Sequence, residues 1–309
     1  MRILIVANYN PGRFSPFIVE QIESLRKIGV EIDTYGIVGK GMFGYLRNVI
    51  GIKKKICEFR PNLIHAHYGL SGLCANLQRQ IPVVTTYHGS DIHSGGWILE
   101  LSKLAMKLSV YNIYVSHELL EMSGYKKSNA FVQSCGLNLD VIHVIPKEEA
   151  RKQLGLELGK KYGLFSGSFD NKVKNYPLAK AAIALLPEVN LIELKGYSRQ
   201  EVNILMNAAD YLLMTSHREG SPQVIKEAMA CNTPIVSVDV GDVEEVVGNT
   251  NGCYIAKRDP EDIANKIQQV LAFNSKTNGR QRVINLNLNN ELVAKRLLDI
   301  YNNVITSRK

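Results

Sequence analysis

Short apolar, β-rich runs alternate with amphipathic stretches from one end of this chain to the other, and that alternation restricts the fold more than any other feature. Runs that are apolar throughout need cover on both faces, which a helical crossover between successive parallel strands supplies. The chain is therefore expected to be α/β. Strands are predicted at Arg2–Ala7, Val30–Ile37, Leu63–Ala66, Val83–Tyr87, Tyr111–Val115 and Phe131–Gln133. After a polar, helix-prone KEEARKQLG segment they resume at Tyr162–Gly167, Val189–Leu194, Tyr211–Met214, Ile235–Val238 and Cys253–Ala256.

The first helix shows the intervening period clearly. Phe17, Ile18, Ile22, Leu25 and Ile28 recur at three and four, Ser15 is placed to cap, Pro16 takes the first helical position and Gly29 ends the run. At 309 residues the chain is too long for one typical domain, so two are expected. The restart after Pro146 puts the boundary there, giving domains 1–146 and 147–290. The amphipathic segment 291–309, with Val293, Leu297, Ile300, Tyr301 and Val304 on one face, has no strand to serve and should pack back on the first domain. Two doubly wound domains would leave a cleft at the carboxyl ends of their strands, where such sheets bind ligands.

A net charge of +8 raises nucleic acid, membrane and phosphorylated ligands as partners, but the charge is spread out. Residues 1–146 carry 15 Lys and Arg against 10 Asp and Glu, and the remainder 22 against 19. With no zinc-finger spacing or RNP-type aromatic motif, no nucleic-acid partner is expected. There is no run of 18 apolar residues and the opening MRILIVANYNPG is too short for a signal peptide, so the expected location is the cytoplasm. The odd cysteine count fits free thiols in a reducing compartment. Met42–Phe59 sets Met42, Phe43, Leu46, Val49, Ile50 and Ile56 beside Arg47 and Lys53–Lys55, which reads as a sheet-covering helix with a basic end or as a peripheral membrane contact.

The most informative segment is TSHREGSPQVIKEAMACNTPIVSVDVGD, Thr215–Asp242. Ser221 and Pro222 open a helix as cap and first residue, so the amides of Gln223 and Val224 sit at the positive end of the dipole, an anion site suited to a diphosphate. Glu227, about one and a half turns on, is placed for two ribose hydroxyls, and Glu219 precedes the helix. The same residues would serve as a capped helix with two solvated glutamates.

Taken with EAMACNTPIV and VGD, this segment resembles the E-x7-E motif of glycosyltransferase family 4 and its GT-B relatives, a fold of two Rossmann-like domains. RPNLIHAHYG at Arg60–Gly69, VVTTYHGSDI at Val83–Ile92 and YVSHELLE at Tyr114–Glu121 resemble amino-domain motifs of that family, so the resemblance covers nearly the whole chain. It implies retaining, metal-independent transfer of a sugar from a UDP- or GDP-sugar to a glycan or lipid-linked acceptor, with no cofactor. By resemblance Glu219 contacts the donor sugar, Glu227 holds the ribose, and Gly220, Ser221, Pro222, Gln223 and Val224 cover the diphosphate. Lys174, in GSFDNKVKNYPLAKAAIALL, neutralises the leaving diphosphate, with Gly167 and Ser168 in the same loop, and Gly196-Tyr197 meets the base. His88 contacts the sugar near the reaction centre, with Gly12 in the first donor loop and Arg13, His67 and Asp91 on the acceptor side. Asp91 also reads as a helix cap, and His88 as a hydrogen-bonded strand-end residue.

Two departures stand out. The first loop, NPGRFSPF, has one glycine where the family commonly has two, and Ser168 stands where it usually has arginine, leaving Lys172 or Arg218 to compensate. They keep open a binding protein that has lost turnover; a nucleotide-sugar epimerase is the rival enzyme. His65 and His67 would share a strand face, but no third metal ligand has suitable spacing.

Overall fold

The computed structural model describes residues 1–307 apart from Pro11, Lys40 and the side chain of Met42. The chain divides into two compact units, Met1–Gly136 with the chain from Asn290 on, and Leu137–Asn289. The second unit thus begins before Pro146. Leu137 and Ile142 are fully buried in its core, and Leu137 pairs through its amide with the Leu288 carbonyl at 2.8 Å, so the stretch from Leu137 to Pro146 belongs to the second unit.

The first unit has six parallel strands: β1 Arg2–Asn8, β2 Glu31–Ile37, β3 Leu63–His67, β4 Val83–Tyr87, β5 Tyr111–Tyr114 and β6 Ala130–Val132, in the order β2-β1-β3-β4-β5-β6. Every residue from Ile3 to Ala7 is fully buried because the pleat sends alternate side chains into two separate cores. Ile3, Ile5 and Ala7 meet the helix Pro16–Lys27 and Val293, Leu297 and Tyr301 of the terminal helix Asn290–Thr306. Leu4 and Val6 meet Ile52, Ile56 and Ala75 on the other face.

Two local expectations differ from the structure. Ser15 makes no side-chain cap at the first helix; Pro16 and the extended backbone before it start the turn unaided. The Met42–Phe59 stretch is two helices, Gly41–Leu46 and Asn48–Phe59. Asn48 lies at the break, buried, with its amide donating to the carbonyls of Val38, Gly44 and Tyr45, so a side chain supplies what a continuous ladder would otherwise hold.

The second unit has five parallel strands, β7 Lys161–Phe165, β8 Val189–Glu193, β9 Tyr211–Met214, β10 Ile235–Val238 and β11 Cys253–Ala256, in the order β11-β10-β9-β7-β8. The chain leaves β7 in one direction and returns to its other side at β9. Strand order reverses there, so the loops after β7 and β9 diverge and leave a crevice at the carboxyl end of the sheet. In the first unit the same reversal lies between β1 and β3.

Candidate active site

Residues that sequence separates widely meet at the β7/β9 reversal. Asn171 caps the single 3-10 turn Lys172–Lys174 by accepting from the Val173 amide at 3.0 Å. Thr215, just past β9, donates its hydroxyl to the carbonyls of Lys174 (3.0 Å) and Asn175 (3.1 Å), and the His217 amide donates to Val173 at 2.9 Å. This stitching brings Lys174 Nζ to 2.7 Å from Glu219 Oε1, both largely buried. The lysine stem crosses Gly167, where a Cβ would stand 3.0 Å from Lys174 Cγ.

The helix beyond them is Gln223–Ala230, with Pro222 rather than Ser221 at the cap position. Ser221 reaches across to a neighbouring loop and along the helix that follows it. Its hydroxyl donates to Asp242 Oδ2 at 2.5 Å and accepts from Lys226 Nζ at 2.8 Å, and Lys226 also reaches Gln223 Oε1 at 3.0 Å. Lys226 is wholly buried, and Asp242 is raised by its own burial against the opposing pull of that ammonium. The loop carrying Asp242 lies close because Gly241 has φ +62°; a Cβ there would stand 2.9 Å from the Gly220 carbonyl oxygen. Glu227 is 5% exposed and its Oε1 accepts from Arg199 at 2.5 Å, leaving Oε2 for a ligand. Arg199 opens a helix capped reciprocally by Ser198 and Glu201, directly after Gly196 (φ +80°) and the half-exposed Tyr197.

Ser168 faces carboxylates. Its hydroxyl contacts Asp170 and lies 2.9 Å from Glu193 Oε1, which also accepts the Phe169 amide at 2.6 Å. Lys172 and Arg218, weighed as substitutes for the missing arginine, are both exposed.

In the first unit, β3 and the loop after β4 carry a stack of imidazoles. His65 and His67 are fully buried with rings stacked 4.5 Å apart, and His67 Nδ1 lies 2.9 Å from His88 Nε2. His65 is held between the Tyr301 hydroxyl (2.5 Å) and the Thr86 hydroxyl (2.7 Å). Burial pushes His67 down to about 3 and His65 well below the usual imidazole value, so both are neutral near pH 7. Gln21 Nε2 is 3.4 Å from His67 Nε2, and Cys135 Sγ is 3.8 Å from His88 Nδ1. Asp91 is buried and accepts the amides of Gly69 (3.2 Å), His88 (3.2 Å) and Gly89 (2.9 Å). It shapes the loop that carries His88 and is occupied by the backbone. Gly12 makes a tight turn at φ +75°, with exposed Arg13 after it.

Residues 164–272 match the family described as Glycosyl transferases group 1, and residues 5–116 the family described as Glycosyl transferase 4-like. Both units of the chain thus match glycosyltransferase families. A putative teichuronic acid biosynthesis glycosyltransferase of Bacillus subtilis is 29% identical to it over 68% of this chain; the match spans 61% of that relative's length. Among solved structures, the sucrose-phosphate synthase of Thermosynechococcus elongatus superposes with a TM-score of 0.86 at 19% identity, covering 99% of this glycosyltransferase and 100% of that chain. Anabaena HepE in complex with UDP-glucose superposes with a TM-score of 0.78 at 16% identity, covering 98% and 100%. The fold of this glycosyltransferase is GT-B, two Rossmann-like domains.

Within the second unit Gly167, Lys174 and Glu219 meet at the strand-order reversal with Gly220 and Ser221 directly following, Glu227 pairs with Arg199, and Ser168 turns toward Asp170 and Glu193. His67, His88 and Asp91 gather in the first. Sequence reasoning missed Arg199, Lys226, Gln21 and Cys135, and took Tyr301 only as core. Arg199 had one local signal, its place in the first turn after the Ser198 cap beside Gly196-Tyr197. Lys226 had none, because a lysine in a helix reads as solvated until the fold buries it.

Proposed function

We propose that this glycosyltransferase moves a sugar from a nucleoside diphosphate-sugar to a glycan or lipid-linked acceptor hydroxyl, with retention of anomeric configuration and without a divalent metal. The observation that carries the reading is the Lys174–Glu219 pair at the β7/β9 reversal, beside the start of the Gln223–Ala230 helix. One cation and the first-turn amides of that helix then meet the negative charge that grows on a departing diphosphate, which is stabilisation aimed at the transition state. Glu219 holds Lys174 in place and offers a carboxylate to the donor sugar; Glu227, steadied by Arg199, takes the ribose. The acceptor hydroxyl approaches the face the diphosphate leaves, and the leaving phosphate takes its proton. HepE, solved with UDP-glucose, favours a uridine donor.

The lipid-linked form of the acceptor draws support from the surface at Gly41–Phe59. Phe43 and Ile50 are each 78% exposed beside the exposed Arg47, Lys53 and Lys54, an apolar and cationic combination that suits an anionic bilayer surface. No helix among the described residues is long and apolar enough to cross a membrane.

The test is a thermal-shift screen against UDP-, GDP- and ADP-sugars, then product analysis by NMR with the donor that stabilises the fold. The proposal expects one nucleotide class to raise the melting temperature and the product anomer to match the donor's. An inverted product, or no stabilisation by any of the three, would overturn it.

A further inference from the structure

The second unit holds a pocket of about 580 Å³ at the opposite end of its sheet from the donor loops. Lys161 begins β7, Asp210 immediately precedes β9 and Pro234 precedes β10, so the pocket opens at the amino ends of the strands. The residues of the Lys174–Glu219 site follow the carboxyl ends of β7 and β9.

Its charge is unbalanced. Lys147, Arg151, Lys161 and Lys276 line it against two carboxylates, Asp210 and the exposed Glu148. Asp210 is already committed: Oδ1 accepts from Lys147 at 2.9 Å, and Oδ2 accepts from Arg151 at 2.8 Å and from the Tyr162 amide at 2.7 Å. Neither Lys161 nor Lys276 has an ion-pair partner among the described residues, and Lys276 Nζ has only the Cys231 carbonyl, 3.5 Å away. Burial and the neighbouring ammonium of Lys147 bring Lys276 down to about 8, the behaviour of a cation held where a counter-ion would relieve it. Lysine ammoniums act on phosphate as point charges, and the volume lies within the range of small-metabolite sites, larger than a bare phosphate needs.

We infer that this pocket is an anion site, separate from the donor half-site, that takes a small phosphorylated metabolite with its phosphoryl group between Lys161 and Lys276. It does not depend on the assignment of donor or acceptor.

Titration calorimetry with inorganic phosphate at pH 8, in two buffers of different ionisation enthalpy, tests it. The expected result is binding with proton uptake, because the anion raises Lys276 from about 8. Lys276→Met should abolish the uptake, and both Lys276→Met and Lys161→Met should weaken affinity by about tenfold or more, the loss of one charge-assisted contact. Lys174→Met, in the donor half-site, should leave the proton uptake intact. Tighter binding of ribose 5-phosphate than of phosphate would identify an ester as the ligand; equal affinity would identify free phosphate. Absence of binding at millimolar phosphate, unchanged affinity in both pocket variants, or loss of the uptake in Lys174→Met alone would each overturn the inference. Should a pocket variant fail to fold, absence of proton uptake in the wild-type protein would overturn it equally.

Discussion

At Glu219 and Glu227 two carboxylates of one segment hold different cations, Lys174 and Arg199, and their variants should separate accordingly. Glu219→Gln removes the charge that steadies Lys174 beside the departing phosphate. It should lower kcat by on the order of a hundredfold with a small change in donor Kd, since the lost interaction belongs to the transition state. Glu227→Ala should instead weaken donor binding by about tenfold while kcat at saturation changes little, and Arg199→Ala should follow it in direction. Stopped assays and titrations with the same donor read the split; wild-type values in both glutamate variants would remove the assignment. Ser168 calls for a different expectation. Its hydroxyl already faces Asp170 and Glu193, so the arginine of Ser168→Arg would be drawn to those carboxylates and donor affinity should stay within about twofold. A tightening of about 1–3 kcal/mol would show that the guanidinium reaches the diphosphate after all.

At the scale of elements, the helix Gln223–Ala230 depends on a buried cation. Lys226→Met leaves Ser221 and the buried Asp242 without their ammonium and should cost about 1–3 kcal/mol in urea unfolding, the penalty for stranding buried polar groups. An unchanged midpoint would mean that Asp242 simply protonates at no cost. On the Gly41–Phe59 surface, Phe43→Ser with Ile50→Ser should abolish salt-sensitive co-sedimentation with anionic vesicles without altering stability, and absence of sedimentation by the wild-type protein at low salt would discard the membrane contact. Much of the element layer was legible in the sequence. Arg2–Ala7 and Ile235–Val238 are apolar β-branched runs with nowhere to go but a covered strand, and Pro222 marks a helix start by its own geometry. The interruption at Arg47 was not legible, because what makes it is Asn48 reaching the carbonyls of Val38, in the loop after β2, and of Gly44, in the preceding helix. Nor was the bond from Ser221 to Asp242, which depends on the close approach that Gly241 allows. Local chemistry announces ends of elements; pairings across loops need the fold.

For the molecule as a whole, the neutral, buried His65 and His67 tie stability to pH. Their folded-state values are depressed, so the unfolded chain binds protons first as pH falls. Stability present above about 6.5 should drain away as pH drops toward 3, by about 2 kcal/mol for His67 alone at pH 5, and His67→Gln should flatten that part of the profile. Everything proposed for the donor rests on the loops at the β7/β9 reversal holding a nucleoside diphosphate-sugar through Lys174 and helix amides rather than through a divalent ion. Titration calorimetry with UDP-glucose in EDTA, on the wild-type chain and on Lys174→Met, decides between the two. Binding is expected in EDTA, and Lys174→Met should weaken it by about tenfold or more. Binding that appears only when magnesium or manganese is restored, or that is indifferent to Lys174→Met, would contradict this donor site.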